Sequence, residues 1–226
     1  MDSIYSRTEI ILGSENVERI KRASICVCGV GGVGSYVLEA LARVGIGNIC
    51  VIDKDIVDIT NINRQLIALN STIGENKVDA AVKRAKDINK DLKIEGIKES
   101  ITFDNIDQLL SNKFDYVIDC VDNIEAKTAI IKYCWDNKIK CISSMGMGNK
   151  LNPLDIKVAD IYKTEMDPLS KIMRKKLKEI GIRKQKVVYS VEKPKKNNTK
   201  TIGSVSFVPS AGGLVIASEV VKDIIK

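Results

Sequence analysis

The sequence predicts a doubly wound α/β fold, and two observations support this. Between residues 25 and 144, short apolar runs alternate with helical patterns, which is typical of parallel strands joined by crossover helices. The turn Gly-Val-Gly-Gly-Val-Gly at 29–34 joins the first apolar run to the first helical pattern. With 226 residues and 44% apolar content, the chain can bury one sizeable core. We therefore expect one domain over residues 1–226, built on a Rossmann-like sheet.

The first predicted unit is a strand, a helix and a second strand. A short helix opened by Ser14 comes before it. The run at 25–28 is apolar, brief and bounded by glycine, as expected of a buried parallel strand. A helical pattern follows through 37–44, and the run at 49–53 forms the second strand. Such a βαβ unit is the beginning of a doubly wound sheet.

The alternation of predicted strands and helices continues to residue 144, and the pattern changes after it. The predicted elements are, in order, a helix at 75–89, a strand at 93–98, a helix at 103–111 capped by Thr102, a strand at 116–120, a helix at 124–137 and a strand at 141–144. Three later runs are interpreted as strands that extend the parallel core, at 155–161, 187–191 and 204–208. An amphipathic helix at 213–225 closes the chain.

The positive charge of the chain is concentrated late in the sequence. The net charge is +7, yet residues 171–200 carry twelve Lys or Arg against two acids. In this region Asp167 can cap a helix that begins at Pro168 and ends at Gly181. We interpret about 167–201 as an insertion formed by a basic helix and a charged loop. A polyanion is the expected partner of such a segment.

Cysteine and histidine usage argues against a structural zinc site. The chain has six cysteines without a CxxC pair, and it has no histidine. Most of the cysteines fall in apolar runs, where small buried thiols are ordinary. The sequence shows neither a signal-peptide pattern nor an apolar run of about 18 residues. We expect a reduced, cytoplasmic protein without zinc and without a membrane segment.

The glycine-rich turn predicts a nucleotide site. Its glycines follow a strand and open a helix, so backbone amides and the helix N-terminus can receive phosphate charge: Gly29, Gly31, Gly32 and Gly34. Asp53 ends the next strand, where a carboxylate can accept hydrogen bonds from ribose hydroxyls. A glycine turn can also be purely structural, but the strand, helix and acid together favour nucleotide binding.

A polar cluster indicates which nucleotide chemistry is involved. Asn61, Arg64 and Gln65 are close in sequence, and Lys77 follows a candidate helix cap at 71–72. A dehydrogenase needs no such cations beyond the pyrophosphate. Nucleotidyl transfer does, because charge develops on the α-phosphate and on the departing pyrophosphate. The alternative is that Arg64 and Lys77 are solvated surface charges.

A third cluster, Asp-Cys-Val-Asp-Asn at 119–123, ends a predicted central strand. Ligands of open α/β sheets bind beyond that edge. If Asp119 lies within the strand, Asp122 can project from the loop beyond it. We expect Asp122 to hold a Mg²⁺ ion that bridges phosphate oxygens. For Asp119, a helix cap or a strand-end hydrogen bond is the favoured role.

Together these motifs resemble the ubiquitin-activating superfamily of ThiF-, MoeB- and HesA-like proteins, over roughly residues 5–150. The resemblance implies that the glycine turn and Asp53 bind ATP, and that Asp122 positions Mg²⁺. It implies phosphate contacts from three side chains, Asn61, Arg64 and Lys77. It also implies an arginine that is donated across the two-fold interface of a homodimer, and Arg7 lies where that residue falls.

The last third of the sequence separates subfamilies. No cysteine follows Cys141, which excludes thioester transfer through a crossover-loop cysteine. The patterns at 146–150, 167–169 and 203–209 are similar to those of tRNA threonylcarbamoyladenosine dehydratases. That resemblance implies adenylation of the threonyl carboxylate, ring closure with loss of AMP, and net loss of water from the nucleoside. The expected tRNA contacts share one face of the basic helix: Lys171, Arg174, Lys175 and Lys178.

Other functions stay open at this point. One is adenylation of the C-terminus of a small ubiquitin-like sulfur-carrier protein. Two belong to different classes, an NAD-dependent oxidoreductase and a non-catalytic nucleotide- or RNA-binding module. The cations near the glycine turn argue against the oxidoreductase. Whether a monovalent cation orders the site, and whether a cysteine desulfurase system is a sulfur-transfer partner, also stay open.

Overall fold

The computed structural model describes residues 3–111, 114–196, 198–199 and 201–226. The strands are β1 (Ser24–Cys28), β2 (Asn48–Ile52), β3 (Lys93–Ile97), β4 (Tyr116–Asp119), β5 (Lys140–Ser144), β6 (Ile156–Asp160) and β7 (Lys186–Ser190). The helices are α1 (Ser6–Leu12), α2 (Ser14–Arg22), α3 (Gly34–Val44), α4 (Lys77–Ile88), α5 (Ile106–Leu109), α6 (Ile124–Asp136), α7 (Pro168–Glu179) and α8 (Phe207–Ile225). The predicted α/β alternation is confirmed.

The strands form one sheet in the order β3-β2-β1-β4-β5-β7-β6. Every neighbouring pair is parallel except β6 and β7, which run antiparallel. The central strands β1 and β4 are almost wholly buried, as expected when helices cover both faces of a parallel sheet. The strand order reverses beside β1, so a crevice opens beyond the carboxyl ends of β1 and β4. The predicted doubly wound class is therefore confirmed, and β6 and β7 are the predicted additional strands.

The closing helix α8 packs against α3, the helix that follows the glycine turn. A β-carbon at Gly213 would lie 2.5 Å from the carbonyl oxygen of Val33 and 2.9 Å from the β-carbon of Tyr36. Only glycine allows this close approach between the two helices. The last helix thus supports the backbone where the turn ends and α3 begins.

The predicted strand at 204–208 is wrong. Residues 202–206 have no regular secondary structure, and α8 begins at Phe207, six residues before the predicted start of the closing helix. The alternation Ser-Val-Ser-Phe-Val resembles a strand, but Pro209 lies in the first turn of α8. Proline is tolerated there because the amide it lacks would have no partner within the helix.

The predicted helix at 103–111 is much shorter in the structure. It comprises the single turn α5, preceded by Asn105. Thr102 does not cap this turn directly, since its amide and hydroxyl both donate to the Asn105 side chain, at 2.9 and 3.1 Å. Within the described ranges, no helix is both long and apolar enough to cross a membrane.

Candidate active site

A cavity of about 890 Å³ opens at the carboxyl ends of the central strands. One side is formed by the glycine turn, the ends of β2 and β4, and the segment around Arg64. The opposite side is formed by the chain after β5 and the beginning of α7, and residues 202–209 border the cavity between the two sides. A volume this large is near the upper end for small-molecule sites. It can hold a nucleotide together with part of a second substrate.

The glycine turn lines the floor of the cavity. Gly29 has φ 85° and its amide donates to Ile52 at 2.7 Å, which ties the turn to the end of β2. A β-carbon at Gly34 would overlap the carbonyl oxygen of Gly29, so this glycine shapes the turn instead of facing the cavity. Gly31 and Gly32 do face it. The predicted phosphate-binding turn therefore lies at the cavity.

Asp53 stands where the sequence predicts it, directly after β2, and lines the cavity. Its Oδ2 accepts a hydrogen bond from the Val30 amide at 2.8 Å, and its Oδ1 accepts from the Asp55 amide at 2.9 Å. These bonds hold the glycine turn against the end of β2. Because each carboxylate oxygen has more than one acceptor site, Asp53 can also accept from ribose hydroxyls.

Arg64 and Gln65 also line the cavity. Arg64 Nη1 donates to the Thr60 carbonyl and to Asn63 Oδ1, both at 2.9 Å. Gln65 is only 6% exposed, and its Oε1 has no hydrogen-bond partner among the described residues. Asn61 is buried outside the cavity, where it forms a capping box with Asp58. The structure thus places Arg64 and Gln65 at the cavity, whereas Asn61 does not line it.

Lys77 is buried and lines the cavity. It is the first residue of α4, whose N-cap is Asn76 and not the predicted 71–72. Its Nζ lies 2.8 Å from Asp55 Oδ2, and Asp55 is half exposed at the cavity wall. A phosphate entering here can share the ammonium group with Asp55 or replace that carboxylate.

A buried ion pair holds the end of β4. Lys127 Nζ donates to Asp119 Oδ2 at 2.8 Å and to the Ser144 carbonyl at 2.9 Å, and both charged side chains are fully buried. Asp119 Oδ1 accepts from the Val121 amide at 3.2 Å. Burial raises the pKa of Asp119, and the Lys127 ammonium opposes that rise. The strand-end hydrogen bond expected of Asp119 is present.

Asp122 projects from the loop after β4 into the cavity, and it is exposed. The next residue, Asn123, caps α6 by accepting from the amides of Glu125 and Ala126, both at 2.9 Å. The cap fixes the loop that presents the Asp122 carboxylate. Nowhere in the described ranges do three or more acidic or cysteine side chains gather as a metal cluster. A Mg²⁺ ion held by Asp122 would take its other ligands from phosphates and water.

The side of the cavity opposite the glycine turn, which we name the far wall, contains a second buried ion pair. Lys150 Nζ donates to the Gly146 carbonyl at 2.8 Å, the Ser190 carbonyl at 3.0 Å and Asp167 Oδ1 at 3.2 Å. Asp167 Oδ2 accepts from the Ser170 amide at 2.8 Å, as the predicted cap of α7. This network joins the chain after β5 to α7. The sequence did not predict it.

The basic face of α7 is only partly as predicted. Lys171, Lys175 and Lys178 are exposed, but Arg174 is half buried. The Arg174 guanidinium donates to the Thr164 carbonyl at 2.7 Å and also to the Thr164 hydroxyl. Arg174 therefore anchors α7, and the other three predicted tRNA contacts are exposed to solvent.

Two further predicted features can be located. Arg7 is exposed on α1 and does not line the cavity of its own chain. Cys120 is the cysteine at the cavity, where burial raises the pKa of its thiol far above the ordinary value. A thiol held in its protonated form is a poor nucleophile. All six cysteines are free.

The fold and this cavity define a nucleotide-binding protein of the doubly wound α/β class. A family model described as "ThiF family" matches residues 5–226. A tRNA threonylcarbamoyladenosine dehydratase of Bacillus subtilis (strain 168) is 42% identical to the chain, covering 98% of the chain and 94% of that relative. The chain belongs to the ThiF family and, within it, to the group of tRNA threonylcarbamoyladenosine dehydratases.

Further comparisons agree with this grouping. The dehydratase of Escherichia coli (strain K12) is 40% identical over 77% of this chain, but the match covers only 65% of that relative. Solved structures of E. coli TcdA in complex with ATP and with AMP each superpose with a TM-score of 0.93, at 34% and 35% identity. They cover 98% and 97% of this chain and 93% and 92% of those chains.

Proposed function

We propose that the chain is an ATP-dependent dehydratase that acts on threonylcarbamoyladenosine in tRNA by adenylating its threonyl carboxylate. The observation that carries the proposal is the two-sided cavity, with the glycine turn and Asp53 on one side and the α7 wall on the other. A nucleotide on the first side leaves room opposite its phosphates for a second substrate. The names of the relatives and the ATP and AMP complexes of E. coli TcdA support the same reaction.

The proposed chemistry has two steps. A carboxylate oxygen of the substrate attacks the α-phosphate, which forms an acyl-adenylate and releases pyrophosphate. An atom of the same nucleoside then attacks the activated carbonyl, closes a ring and expels AMP. Arg64 and Lys77 would stabilise the negative charge that develops on the phosphates. Reaction within one substrate needs no enzyme nucleophile, and the protonated Cys120 thiol agrees with that.

Asp122 fits a Mg²⁺ ligand. Its carboxylate is exposed to the cavity, and no described side chain or backbone group pairs with it. Bound there, Mg²⁺ would neutralise charge on the phosphate oxygens. The loop cap at Asn123 would hold the carboxylate in place without closing the other coordination positions.

The proposed tRNA surface is the exposed face of α7. Lys171, Lys175 and Lys178 form this face, and Ile172 and Leu169 of the same helix line the cavity. A phosphate backbone lying along the lysines would therefore bring a neighbouring nucleoside to the cavity mouth. A tRNA substrate is consistent with the cytoplasmic location expected from the sequence.

We also propose a homodimer in which Arg7 serves the site of the second subunit. Arg7 stands on α1, outside the cavity of its own chain. The same helix presents Ile10 and Ile11, each 83% exposed. A partner subunit that covered these two isoleucines would remove their apolar surface from water.

The test is mass analysis of tRNA nucleosides after incubation with the protein, ATP and Mg²⁺. We expect threonylcarbamoyladenosine to lose one water, with AMP and pyrophosphate formed in equal amounts. Omission of ATP and the Asp122→Ala variant are the controls. ATP–pyrophosphate exchange that requires a small sulfur-carrier protein, with unchanged tRNA, would support the alternative function instead.

A further inference from the structure

Residues 202–206, which we name the strap, run along the edge of the cavity between two of its walls. On the far-wall side, the Asn149 amide donates to the Gly203 carbonyl at 2.8 Å, and the Gly203 amide donates to Asn149 Oδ1 at 2.7 Å. At the next residue, Asn63 Nδ2 donates to the Ser204 carbonyl at 3.0 Å. Ile202 and Ser204 of the strap line the cavity. The strap therefore connects the far wall to the phosphate side.

Asn63 connects the strap to Arg64. Its Oδ1 accepts from Arg64 Nη1 at 2.9 Å, while its Nδ2 donates to the strap. The chemistry of the partners fixes this orientation, because a guanidinium can only donate and a carbonyl oxygen can only accept. Reversing the amide would break both hydrogen bonds. One side chain thus holds the strap and the guanidinium together.

The surroundings of Arg64 make its orientation sensitive to this contact. A β-carbon added at Gly32 would lie 3.4 Å from Arg64 Cγ and 3.4 Å from the β-carbon of Pro209. The methylene groups of Arg64 therefore lie against the phosphate-binding turn, and the beginning of α8 lies against the same turn. The head group has two contacts through Nη1, the Thr60 carbonyl and Asn63. Among the residues that the structure describes, loss of Asn63 would leave the head group with the Thr60 carbonyl alone.

We propose that Asn63 is a positioning residue that couples the strap to Arg64, so that the guanidinium faces the nucleotide phosphates when the strap is in place. Nucleotide binding should in turn hold the strap, since coupling between two sites is reciprocal. The inference rests on the proposed function only through the assumption that Arg64 meets phosphate. It assigns to Asn63 no contact with substrate.

The first test is a double-mutant cycle on the affinity for a non-hydrolysable ATP analogue, measured by calorimetry. We expect Asn63→Ala to weaken binding about three- to tenfold, the usual net value of one intramolecular hydrogen bond. In an Arg64→Ala background the same change should cost less than about twofold, because Asn63 acts through Arg64. Asn137→Ala is the matched control, since its amide bonds the Tyr133 carbonyl at the far end of α6. Equal losses in both backgrounds would overturn the positioning role.

The second test follows hydrogen exchange in a peptide that covers 201–209. In the parent protein the analogue should slow exchange of the Gly203 amide. In Asn63→Ala, measured at saturating analogue, this protection should disappear. Protection that persists in Asn63→Ala would contradict the coupling. An analogue that fails to bind the parent protein at all would instead contradict the proposed function, so the two failures can be told apart.

Discussion

Asp122 presents its carboxylate to the cavity from a loop that is fixed at both ends. Asp119 and Lys127 hold the strand before it, and Asn123 caps the helix after it. The loop therefore depends on its neighbours and not on Asp122 for its shape. Activity and stability should respond separately to substitution at this position.

We predict that Asp122→Asn lowers ATP-dependent dehydration by about a hundredfold or more, since it removes charge stabilisation at the phosphates. The free energy of unfolding should change by less than about 0.5 kcal/mol, because an exposed carboxylate is replaced by a side chain of equal size. AMP release and urea unfolding measure the two effects. Asp136→Asn, at the exposed end of α6, is the control. Full activity with an unaltered Mg²⁺ requirement would exclude Asp122 from the reaction.

The buried ion pair of Asp119 and Lys127 leads to the opposite prediction for Lys127, where a substitution should lower stability. Lys127→Met leaves the Asp119 carboxylate without its cation in a dry environment, which should cost about 3–5 kcal/mol of unfolding free energy. Adding Asp119→Asn should recover part of that loss, since no buried charge then remains. Urea unfolding of the parent protein and the two variants at pH 7 provides the measurement. A loss below 1 kcal/mol in Lys127→Met would show that the pair has little effect on stability.

Part of the site could be predicted from the sequence because its residues form local motifs. The rest could not, because its hydrogen bonds and ion pairs join residues that become neighbours only in the folded protein. The glycine turn, Asp53 and Asp122 were predicted because each has a fixed place relative to a strand end. Lys127 and Lys150 had no such signal, because their partners become neighbours only when α6 packs on β4 and when the chain after β5 meets β7 and α7. The polar role of Asn63 depends on a segment 141 residues away.

At the scale of elements, parallel strands were predicted well because burial on both faces gives short, continuous apolar runs. The error at 204–208 has a physical cause. Its alternating pattern arises because Val205 packs on the core, while the chain around it follows the cavity edge and receives side-chain hydrogen bonds instead of strand partners. Periodicity alone cannot separate these cases.

Helix α7 gives a prediction for substrate binding. Changing Lys171, Lys175 and Lys178 to Gln should weaken tRNA binding and flatten its dependence on salt, because fewer counterions are released. Affinity for the ATP analogue should stay the same, since the glycine turn lies elsewhere. Binding titrations at several salt concentrations give both results.

The control for the α7 variant has an equal loss of charge near the opposite edge of the sheet. It changes three exposed lysines on and just after α4 to Gln: Lys83, Lys86 and Lys90. It should keep the parent salt slope. If the α7 variant also keeps that slope, the basic face of α7 is an ordinary solvated surface and tRNA lies elsewhere.

At the scale of the whole molecule, charged and polar side chains join the closing helix α8 to two strands of the sheet. Lys186 of β7 lies 2.7 Å from Glu219 and 2.9 Å from Asp223 on α8. These contacts lower the pKa of both carboxyl groups against the opposing effect of burial, and they raise the pKa of Lys186. Tyr116 of β4 also donates to Asp223 at 3.0 Å. The closing helix is thus tied to the sheet by charge.

This charge cluster sets a pH dependence of stability. Carboxylates with lowered pKa stabilise the fold at and above their ordinary values, near pH 4, and lose that contribution as the pH falls through the lowered values. Lys186→Met should therefore reduce the difference in unfolding free energy between pH 7 and pH 3. Urea unfolding at each pH tests this. An unchanged difference would mean that other acids control the transition.

The proposed dimer gives a separate prediction. Mixing inactive Arg7→Ala protein with inactive Asp122→Ala protein should restore activity, because some heterodimers contain one complete site. Subunit exchange must be verified by mass spectrometry of the mixture. Verified exchange without restored dehydration would mean that Arg7 does not act across the interface.

The contact between the beginning of α8 and the glycine turn has a consequence for how the protein is made. Pro209 approaches Gly32, and α8 packs on α3, so the far end of the sequence completes a cavity begun near its start. A ribosome releases residue 32 long before residue 209. A growing chain therefore carries the phosphate turn without the residues from 202 to 209 that complete the cavity, and the nucleotide site is whole only after these residues have been added and folded.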